Sequence, residues 1–276
     1  MKKLISAVVP CYNEEESLPL FYRRIRSVAE TLPEADFEFV FVDDGSRDGT
    51  LRILRELAKE DARVRYLSFS RNFGKEAGML AGLEHAKGDY VAVLDADLQD
   101  PPEYFVDMFR ILETGEYDCV NLYRTDRKGE GRIRSFFSDA FYKIYRKITK
   151  IDVRSGARDF RLMTRQVVDC VLSMPEYNRF TKGIFSWVGF RTKWIGYENV
   201  ARAAGETKFS FRSLLKYSIN GITSFSTAPL LLASGLGVLC CAVSILLALF
   251  YLLKTLFFGD PVAGFPTLVC LVLFIG

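Results

Sequence analysis

Residues 90–103 read YVAVLDADLQDPPE, and this stretch decides the fold because a short apolar run leads directly into three aspartates. Such a run is typical of a strand that is buried on both faces of a parallel sheet. Asp95 and Asp97 are two residues apart, so on an extended chain their side chains share a face, and Asp100 follows closely. Crowded carboxylates repel each other and resist burial, so the sequence predicts a positive partner at this strand end.

The pattern on either side of this stretch predicts an α/β fold. Strand-like runs occupy residues 4–9, 37–42, 64–69, 90–94 and 118–123. Helical patterns alternate with them, at about 18–32, 49–60, 74–86 and 102–113. This alternation indicates a mainly parallel sheet with helices on both faces and a ligand site at the carboxyl ends of the strands.

Polar clusters follow three of the predicted strands at once, as PCYNEEE (10–16), DDGSRDGT (43–50) and DADLQD (95–100). Mg²⁺ or Mn²⁺ is the natural counter-charge for Asp95 and Asp97, and Gln99 adds a neutral oxygen. Such ions take few protein ligands and complete their shell with water and phosphate oxygens, so the pattern points to a phosphorylated substrate. Asp44 is placed to accept hydrogen bonds from a ribose or a base. For each short motif alone, a solvated turn is the alternative.

The charge is unevenly distributed along the chain. The net charge is +3, yet the segment from Arg124 to Arg161 holds 12 Lys or Arg and only 5 Asp or Glu. This segment predicts a face that handles anions, and a surface that contacts anionic lipid is the alternative. The 6 cysteines form no C-x-x-C pair and His85 is the only histidine, so we expect neither a disulfide framework nor a zinc site.

The C-terminal part predicts membrane insertion. Residues 228–253 contain no charge and are long enough to cross a bilayer core of about 30 Å. A second uncharged stretch follows the tripeptide Gly-Asp-Pro at residues 259–261, and we expect it to form an incomplete second span. Lys208, Arg212 and Lys216 place the preceding side in the cytoplasm. We therefore expect a cytosolic domain at 1–206, an amphipathic interface helix at 207–226 and a transmembrane region at 227–276.

Five ordered motifs resemble those of family 2 glycosyltransferases of the polyprenyl-phosphate branch, which includes dolichyl-phosphate mannose synthases and bactoprenol glucosyltransferases. They are VVPCYNEEESL (8–18), FVDDGSRDGT (41–50), GDYVAVLDADLQDPPE (88–103), GARDFRLM (156–163) and RAAGETKFS (202–210). The resemblance covers about residues 3–230. It implies a GT-A fold, Mg²⁺ or Mn²⁺, inversion at the anomeric carbon, a nucleotide-sugar donor and a polyprenyl phosphate acceptor.

The subgroup that the tail resembles implies UDP-glucose, undecaprenyl phosphate and a multi-pass protein of the bacterial inner membrane that forms a homo-tetramer and has no nucleic acid among its partners. Transfer of mannose, N-acetylglucosamine or aminoarabinose is the closest alternative. A processive polysaccharide synthase would carry a Q-x-x-R-W signature, which this sequence lacks. A catalytically silent protein that binds nucleotide or lipid is the remaining alternative.

The resemblance and the basic segment together assign candidate residues to roles. The donor-binding candidates are Pro10, Tyr12, Glu14, Asp44, Asp95, Ala96 and Gln99. The metal candidates are Asp95, Asp97 and Gln99. The candidates for the acceptor or its phosphate are Arg124, Arg134, Arg158, Arg161 and Lys208. The catalytic candidates are Asp97, Asp159 and Arg202. The acceptor is a phosphate monoester with a second pKa of about 6, so it is already ionised at neutral pH and does not require a base. Asp159 is therefore either a base or an orienting group.

Overall fold

The computed structural model describes residues 2–125, 143–151, 153–154, 156–174, 176, 179–198, 219–259 and 264–275. The chain divides into two compact units, residues 1–224 and 225–276. The strands are β1 (Lys3–Cys11), β2 (Ala35–Asp43), β3 (Val64–Ser68), β4 (Tyr90–Val93), β5 (Cys119–Arg124), β6 (Ala157–Thr164) and β7 (Thr192–Tyr197). The named helices are α1 (Leu18–Glu30), α2 (Thr50–Glu60), α3 (Lys75–His85), α4 (Tyr104–Glu113), α5 (Arg165–Leu172), α6 (Thr181–Trp187), α7 (Ala228–Phe258) and α8 (Phe265–Ile275), and residues 143–149 and 219–225 are also helical.

The first unit is built on one seven-stranded sheet in the order β3-β2-β1-β4-β6-β5-β7. Strands β1 to β4 are parallel, β6 runs antiparallel to β4 and β5, and β7 is parallel to β5. The prediction of a mixed, mainly parallel sheet is therefore confirmed. Because β6 runs the other way, its first residues lie at the edge where the parallel strands end.

The core explains why the predicted elements form. All five apolar residues of the first helical pattern are buried, namely Leu18, Phe21, Ile25, Val28 and Leu32. Full burial of one such side chain contributes about 1.5–3 kcal/mol. On β2 the rings of Phe37 and Phe39 stack at 6.2 Å, and Phe105 of α4 meets Phe37 edge-on at 5.8 Å. These contacts hold helices against the sheet and so set the positions of the strand ends.

Helix α3 lies unusually close to β1. A Cβ at Gly82 would overlap Cγ1 of Val8, and one at Gly78 would lie 3.3 Å from Cβ of Pro10. Two glycines on one face of α3 thus let its backbone approach the strand. The consequence is that the first residue of α3, Lys75, is brought to the carboxyl end of the sheet.

The second unit consists of apolar helices. Helix α7 has 31 residues, of which only Lys254 is charged, and it is long enough to cross a membrane core of about 30 Å. Helix α8 has 11 described residues and contacts α7, with the rings of Tyr251 and Phe265 6.2 Å apart. Of the interface helix predicted at 207–226, residues 219–225 are helical and residues 207–218 lie outside the described part of the chain.

Candidate active site

The Asp95 carboxylate, just beyond β4, contacts a lysine that the sequence interpretation missed. Nζ of Lys75 lies 2.5 Å from Oδ1 of Asp95 and 2.5 Å from Oδ2 of Asp159 on β6. The three side chains are 29%, 22% and 19% exposed, so the cluster is largely shielded from water. One ammonium group therefore joins the end of β4 to the start of β6. It supplies part of the positive charge that the sequence predicted beside the crowded aspartates.

These contacts keep Lys75 and Asp159 ionised. Burial alone would lower the pKa of Lys75, but the carboxylates of Asp159 and Asp95 outweigh it and hold the pKa well above its usual range. Burial alone would raise the pKa of Asp159, but Lys75, Lys182 and Arg161 outweigh it and hold that pKa well below its usual range. Asp159 is thus a weakly basic carboxylate at neutral pH.

A second lysine, also missed, supports Asp159. Nζ of Lys182 on α6 lies 3.8 Å from Oδ1 of Asp159 and donates a hydrogen bond of 3.0 Å to the carbonyl oxygen of Ala157. The start of α6 is tied to α3, because Thr181 N donates to Oε2 of Glu76 at 3.1 Å. The two lysines that face Asp159 therefore come from two helices that contact each other.

The sequence did contain a signal for Lys75. It opens a helix in the segment RNFGKEAG (71–78), and a positive side chain in the first turn is opposed by the helix macrodipole. A negative partner would offset this unfavourable interaction, and the carboxylates at the strand ends were the candidates. No comparable signal in the sequence marks Lys182.

Asp44 fixes the chain that leads to Lys75. Its Oδ1 accepts from the amide of Phe73 at 2.6 Å, and its Oδ2 accepts from the amide of Gly74 at 2.9 Å. Gly74 has φ of +97°, a conformation that favours glycine. Burial and the neighbouring Asp43 raise the pKa of Asp44 despite these two donors. The nucleoside role predicted for Asp44 would have to coexist with both contacts.

The loop after β1 interlocks with the loop after β2. Asn13 has φ of +52°. Its side-chain oxygen accepts a hydrogen bond from the amide of Arg47 at 2.8 Å, and its own backbone amide donates to Oγ of Ser46 at 2.9 Å. The amide of Glu14 donates to Oγ1 of Thr50 at 2.7 Å. Pro10, Tyr12 and Glu14, which are predicted to bind the nucleotide-sugar donor, are all half-buried where these two loops meet.

The segment that carries Asp97 is folded back on itself. Gln99 N donates to Oδ1 of Asp97 at 3.1 Å, and Leu98 between them has φ of +58°. The amide oxygen of Gln99 accepts from Nη2 of Arg124 at 3.2 Å, so a role as metal ligand would have to share that oxygen with Arg124. Ala96 is buried. The turn thus presents Asp95 and Asp97 from a segment that hydrogen bonds at Asp97 and Gln99 hold in place.

Arg158 pairs with the third aspartate. Its Nε lies 2.6 Å from Oδ1 of the fully buried Asp100, which also accepts a hydrogen bond from the hydroxyl of Tyr197. Oδ2 of Asp100 has no hydrogen-bond partner among the described residues. Burial raises the pKa of Asp100 even though Arg158 opposes the shift. The acceptor role predicted for Arg158 would therefore be in addition to a structural one.

Arg161 points into the protein. Its guanidinium lies over the ring of Phe185, 3.9 Å from the centroid, and its Nε donates to the carbonyl oxygen of Asp159 at 3.4 Å. A phosphate-binding role would require it to leave this position. Three other predicted residues, Arg134, Arg202 and Lys208, lie outside the described residues.

The carboxylates suit a hard divalent cation. Carboxylate oxygens are the donors that Mg²⁺ and Mn²⁺ prefer, and Asp95 already presents one to a cation, the ammonium of Lys75. No group of three or more His, Cys, Asp or Glu side chains within the described ranges converges into a metal site. Asp95 and Asp97 fit a cation that completes its coordination with substrate phosphates.

Comparisons with known proteins are consistent with this geometry. Residues 6–172 match the profile described as "Glycosyl transferase family 2". The chain is 42% identical over 272 residues to "Prophage bactoprenol glucosyl transferase homolog" of Escherichia coli (strain K12), covering 99% of this chain and 88% of that protein. It is 43% identical over 272 residues to "Bactoprenol glucosyl transferase" of Shigella phage SfV, with the same coverage.

Among solved structures, the fold is similar to glucosyl-3-phosphoglycerate synthase from Mycobacterium tuberculosis, in complex with Mn²⁺, UDP-glucose and phosphoglyceric acid. The TM-score is 0.52 at 21% identity, and the match covers 79% of this chain and 76% of that chain. At this identity the likeness concerns the fold alone, and it confirms the predicted GT-A architecture.

Proposed function

The chain belongs to glycosyl transferase family 2, and from this premise we propose that it transfers glucose from UDP-glucose to undecaprenyl phosphate with inversion at the anomeric carbon. The observation that carries the proposal is the Lys75 bridge, which holds Asp95 of the Asp-x-Asp pair beside Asp159. The relatives named as bactoprenol glucosyl transferases support the sugar and the lipid. The Mn²⁺ and UDP-glucose of the similar structure support the donor.

On the donor side, Asp95 and Asp97 would hold Mg²⁺ or Mn²⁺, with Gln99 as a further oxygen. Such a cation, when bound, neutralises charge that develops on the departing diphosphate. Pro10, Tyr12, Glu14, Asp44 and Ala96 would contact the nucleotide sugar. The hydrogen-bonded turn around Asp97 and the interlocked loops after β1 and β2 provide the pre-organisation that such binding needs.

On the acceptor side, no proton has to be removed. A phosphate oxygen of the lipid forms a bond to the anomeric carbon while the bond from that carbon to the donor diphosphate breaks and UDP leaves. The acceptor phosphate, with a second pKa of about 6, is already an anion at neutral pH. Asp159, whose pKa is held low by Lys75 and Lys182, is a poor base, so we assign it the role of orienting these two ammonium groups.

Basic residues would bind the acceptor phosphate. Arg124 lies at the end of β5, and Arg158, Arg134, Arg202 and Lys208 remain proposed partners of phosphate groups. Helix α7 would anchor the protein in the bacterial inner membrane with the domain of residues 1–206 in the cytoplasm. A multi-pass topology with the interface helix at 207–226 and a homo-tetramer are part of the same proposal.

The direct test is transfer of radiolabelled glucose from UDP-glucose into organic-extractable lipid by the full chain in detergent with undecaprenyl phosphate. We expect labelled lipid with the native protein and none with Asp95→Asn. GDP-mannose, UDP-N-acetylglucosamine and a nucleotide-activated aminoarabinose in parallel reactions identify a different sugar. UDP binding without any labelled lipid would instead favour a silent binding protein.

A further inference from the structure

The bridging position of Lys75 has a consequence for cation binding. Its ammonium lies 2.5 Å from Oδ1 of Asp95. A divalent cation bound by Asp95 and Asp97 would coordinate a carboxylate oxygen of this kind. A second cation at the same carboxylate would lie within a few ångströms of the ammonium, and like charges at such distances repel strongly in a shielded site. The ammonium and the divalent ion therefore compete for Asp95.

Lys75 cannot simply move away with its helix. The chain before it is held by Asp44 through the amides of Phe73 and Gly74. The helix after it is packed against β1 through Gly82 and Val8. What can change is the direction of the flexible lysine side chain, which has a second partner in Asp159 at 2.5 Å. The ammonium can give up Asp95 and keep Asp159.

The charge balance decides when this exchange is favourable. In the described structure two ammonium groups, Lys75 and Lys182, face Asp159, and Lys75 also neutralises Asp95. A divalent cation that enters alone adds positive charge next to these groups. A diphosphate that enters with it brings compensating negative charge.

We infer that Lys75 is a positioning residue that acts as the resident counter-cation of Asp95 and Asp159, and that it excludes a divalent cation from Asp95 until a nucleoside diphosphate group arrives with the cation. This inference rests on the proposed function, since it presupposes a metal at Asp95. It predicts strong cooperativity between the metal and the nucleotide, and it assigns the origin of that cooperativity to one side chain.

The test measures Mn²⁺ binding rather than turnover. Metal-free full chain in detergent is titrated with Mn²⁺, and free Mn²⁺ is followed by its electron paramagnetic resonance signal, with and without UDP. For the native protein we expect weak binding of Mn²⁺ alone and much tighter binding with UDP. In Lys75→Met, we expect Mn²⁺ alone to bind roughly tenfold more tightly or better, and the gain from UDP to shrink.

Two further variants separate the role of the charge from a structural role. Lys75→Arg keeps a positive charge at the site and should retain the native weak binding of Mn²⁺ alone. Lys182→Met removes the lysine that contacts Asp159 but is not paired with Asp95, so it should change Mn²⁺ binding much less than Lys75→Met. If Lys75 only stabilises the fold, Lys75→Met should bind Mn²⁺ alone as weakly as the native protein or more weakly. This result would overturn the inference.

The proposed function can fail separately. If native protein with UDP binds Mn²⁺, Asp95→Asn abolishes this binding and Lys75→Met leaves Mn²⁺ affinity unchanged, the role of Lys75 is wrong while the metal site stands. If native protein binds no Mn²⁺ even with UDP, both the metal site and the role of Lys75 are overturned. Tighter binding in Lys75→Met that disappears in Lys75→Met/Asp95→Asn supports both.

Discussion

Nε of Arg158 lies 2.6 Å from Oδ1 of Asp100, and this ion pair joins the segment after β4 to the first residues of β6. The Asp100 side chain is fully buried and Tyr197, at the end of β7, also donates to it. Three strand ends are thus held together by one carboxylate. The Asp95–Asp97 turn lies directly before this anchor, so its geometry depends on the anchor.

Loss of one partner of this pair should destabilise the protein strongly. We expect Asp100→Asn to leave Arg158 without its buried counter-charge, which typically costs about 3–5 kcal/mol. The measurement is the midpoint of thermal unfolding of the full chain in detergent. The double variant Asp100→Asn/Arg158→Met should lose less than the two single variants together. The exposed pair Arg52–Glu56 is the control, and Glu56→Gln should change little. Additive losses at Asp100 and Arg158 would show that the two residues are not coupled.

The role of Asp159 can be read from a pH profile. Because its pKa lies well below the usual range, Asp159 stays ionised from pH 6 to pH 9 and cannot produce an acid limb there. We expect Asp159→Asn to reduce transfer by about a hundredfold or more at every pH in this window, and the remaining acid limb near pH 6 to reflect the acceptor phosphate. A ratio of Asp159→Asn activity to native activity that rises from pH 6 to pH 8 would favour a base instead.

The same pKa shift predicts how stability depends on pH. A depressed pKa in the folded state means that the contribution of Asp159 is present above its unfolded pKa of about 3.9 and is lost as the pH falls below it. Urea unfolding of native protein and Asp159→Asn should therefore differ most near neutral pH, and the difference should shrink below about pH 4. A difference that is constant down to acid pH would contradict the ion pairs of Asp159.

The close approach of α3 to β1 should be essential for the site. We expect Gly82→Ala to push α3 away from Val8, lower the unfolding midpoint and reduce transfer, since Lys75 would move with its helix. Val8→Ala in the same chain removes the overlapping methyl group and should restore part of both properties. Gly235→Ala is a matched control, because a Cβ there meets no atom within 4 Å. Full activity of Gly82→Ala would show that the position of Lys75 does not depend on this contact.

Chelation should abolish transfer reversibly. We expect protein treated with EDTA to form no labelled lipid, and Mn²⁺ or Mg²⁺ to restore the reaction, because Asp95 and Asp97 would hold the cation. The measurement is the transfer assay with UDP-glucose, with Zn²⁺ or Ca²⁺ as comparison ions. Unchanged transfer after complete removal of divalent cations would refute the metal role of these aspartates.

Several elements could be predicted because their signals are local. The five strands from β1 to β5 and the helices α1 to α4 lie within a few residues of the expected ranges, since short apolar runs specify the strands and helical apolar periodicity specifies the helices. Strands β6 and β7 were not predicted. In β6, charged residues stand beside apolar ones (ARDFRLMT), and only its position between β4 and β5 makes this segment a strand.

The sequence by itself determined the α/β order, the acidic strand end that needs a cation and the apolar C-terminal helix, because each of these depends on residues close together along the chain. Only the tertiary structure decided that Lys75 neutralises Asp95 and Asp159, and that Arg158 neutralises Asp100. Lys75 and Asp159 are 84 positions apart, and they meet because α3 packs on β1 while β6 runs back along β4. A cluster of like charges in a sequence indicates that opposite charges must lie nearby in the fold. Which charged residues these are depends on how elements far apart in the sequence pack together.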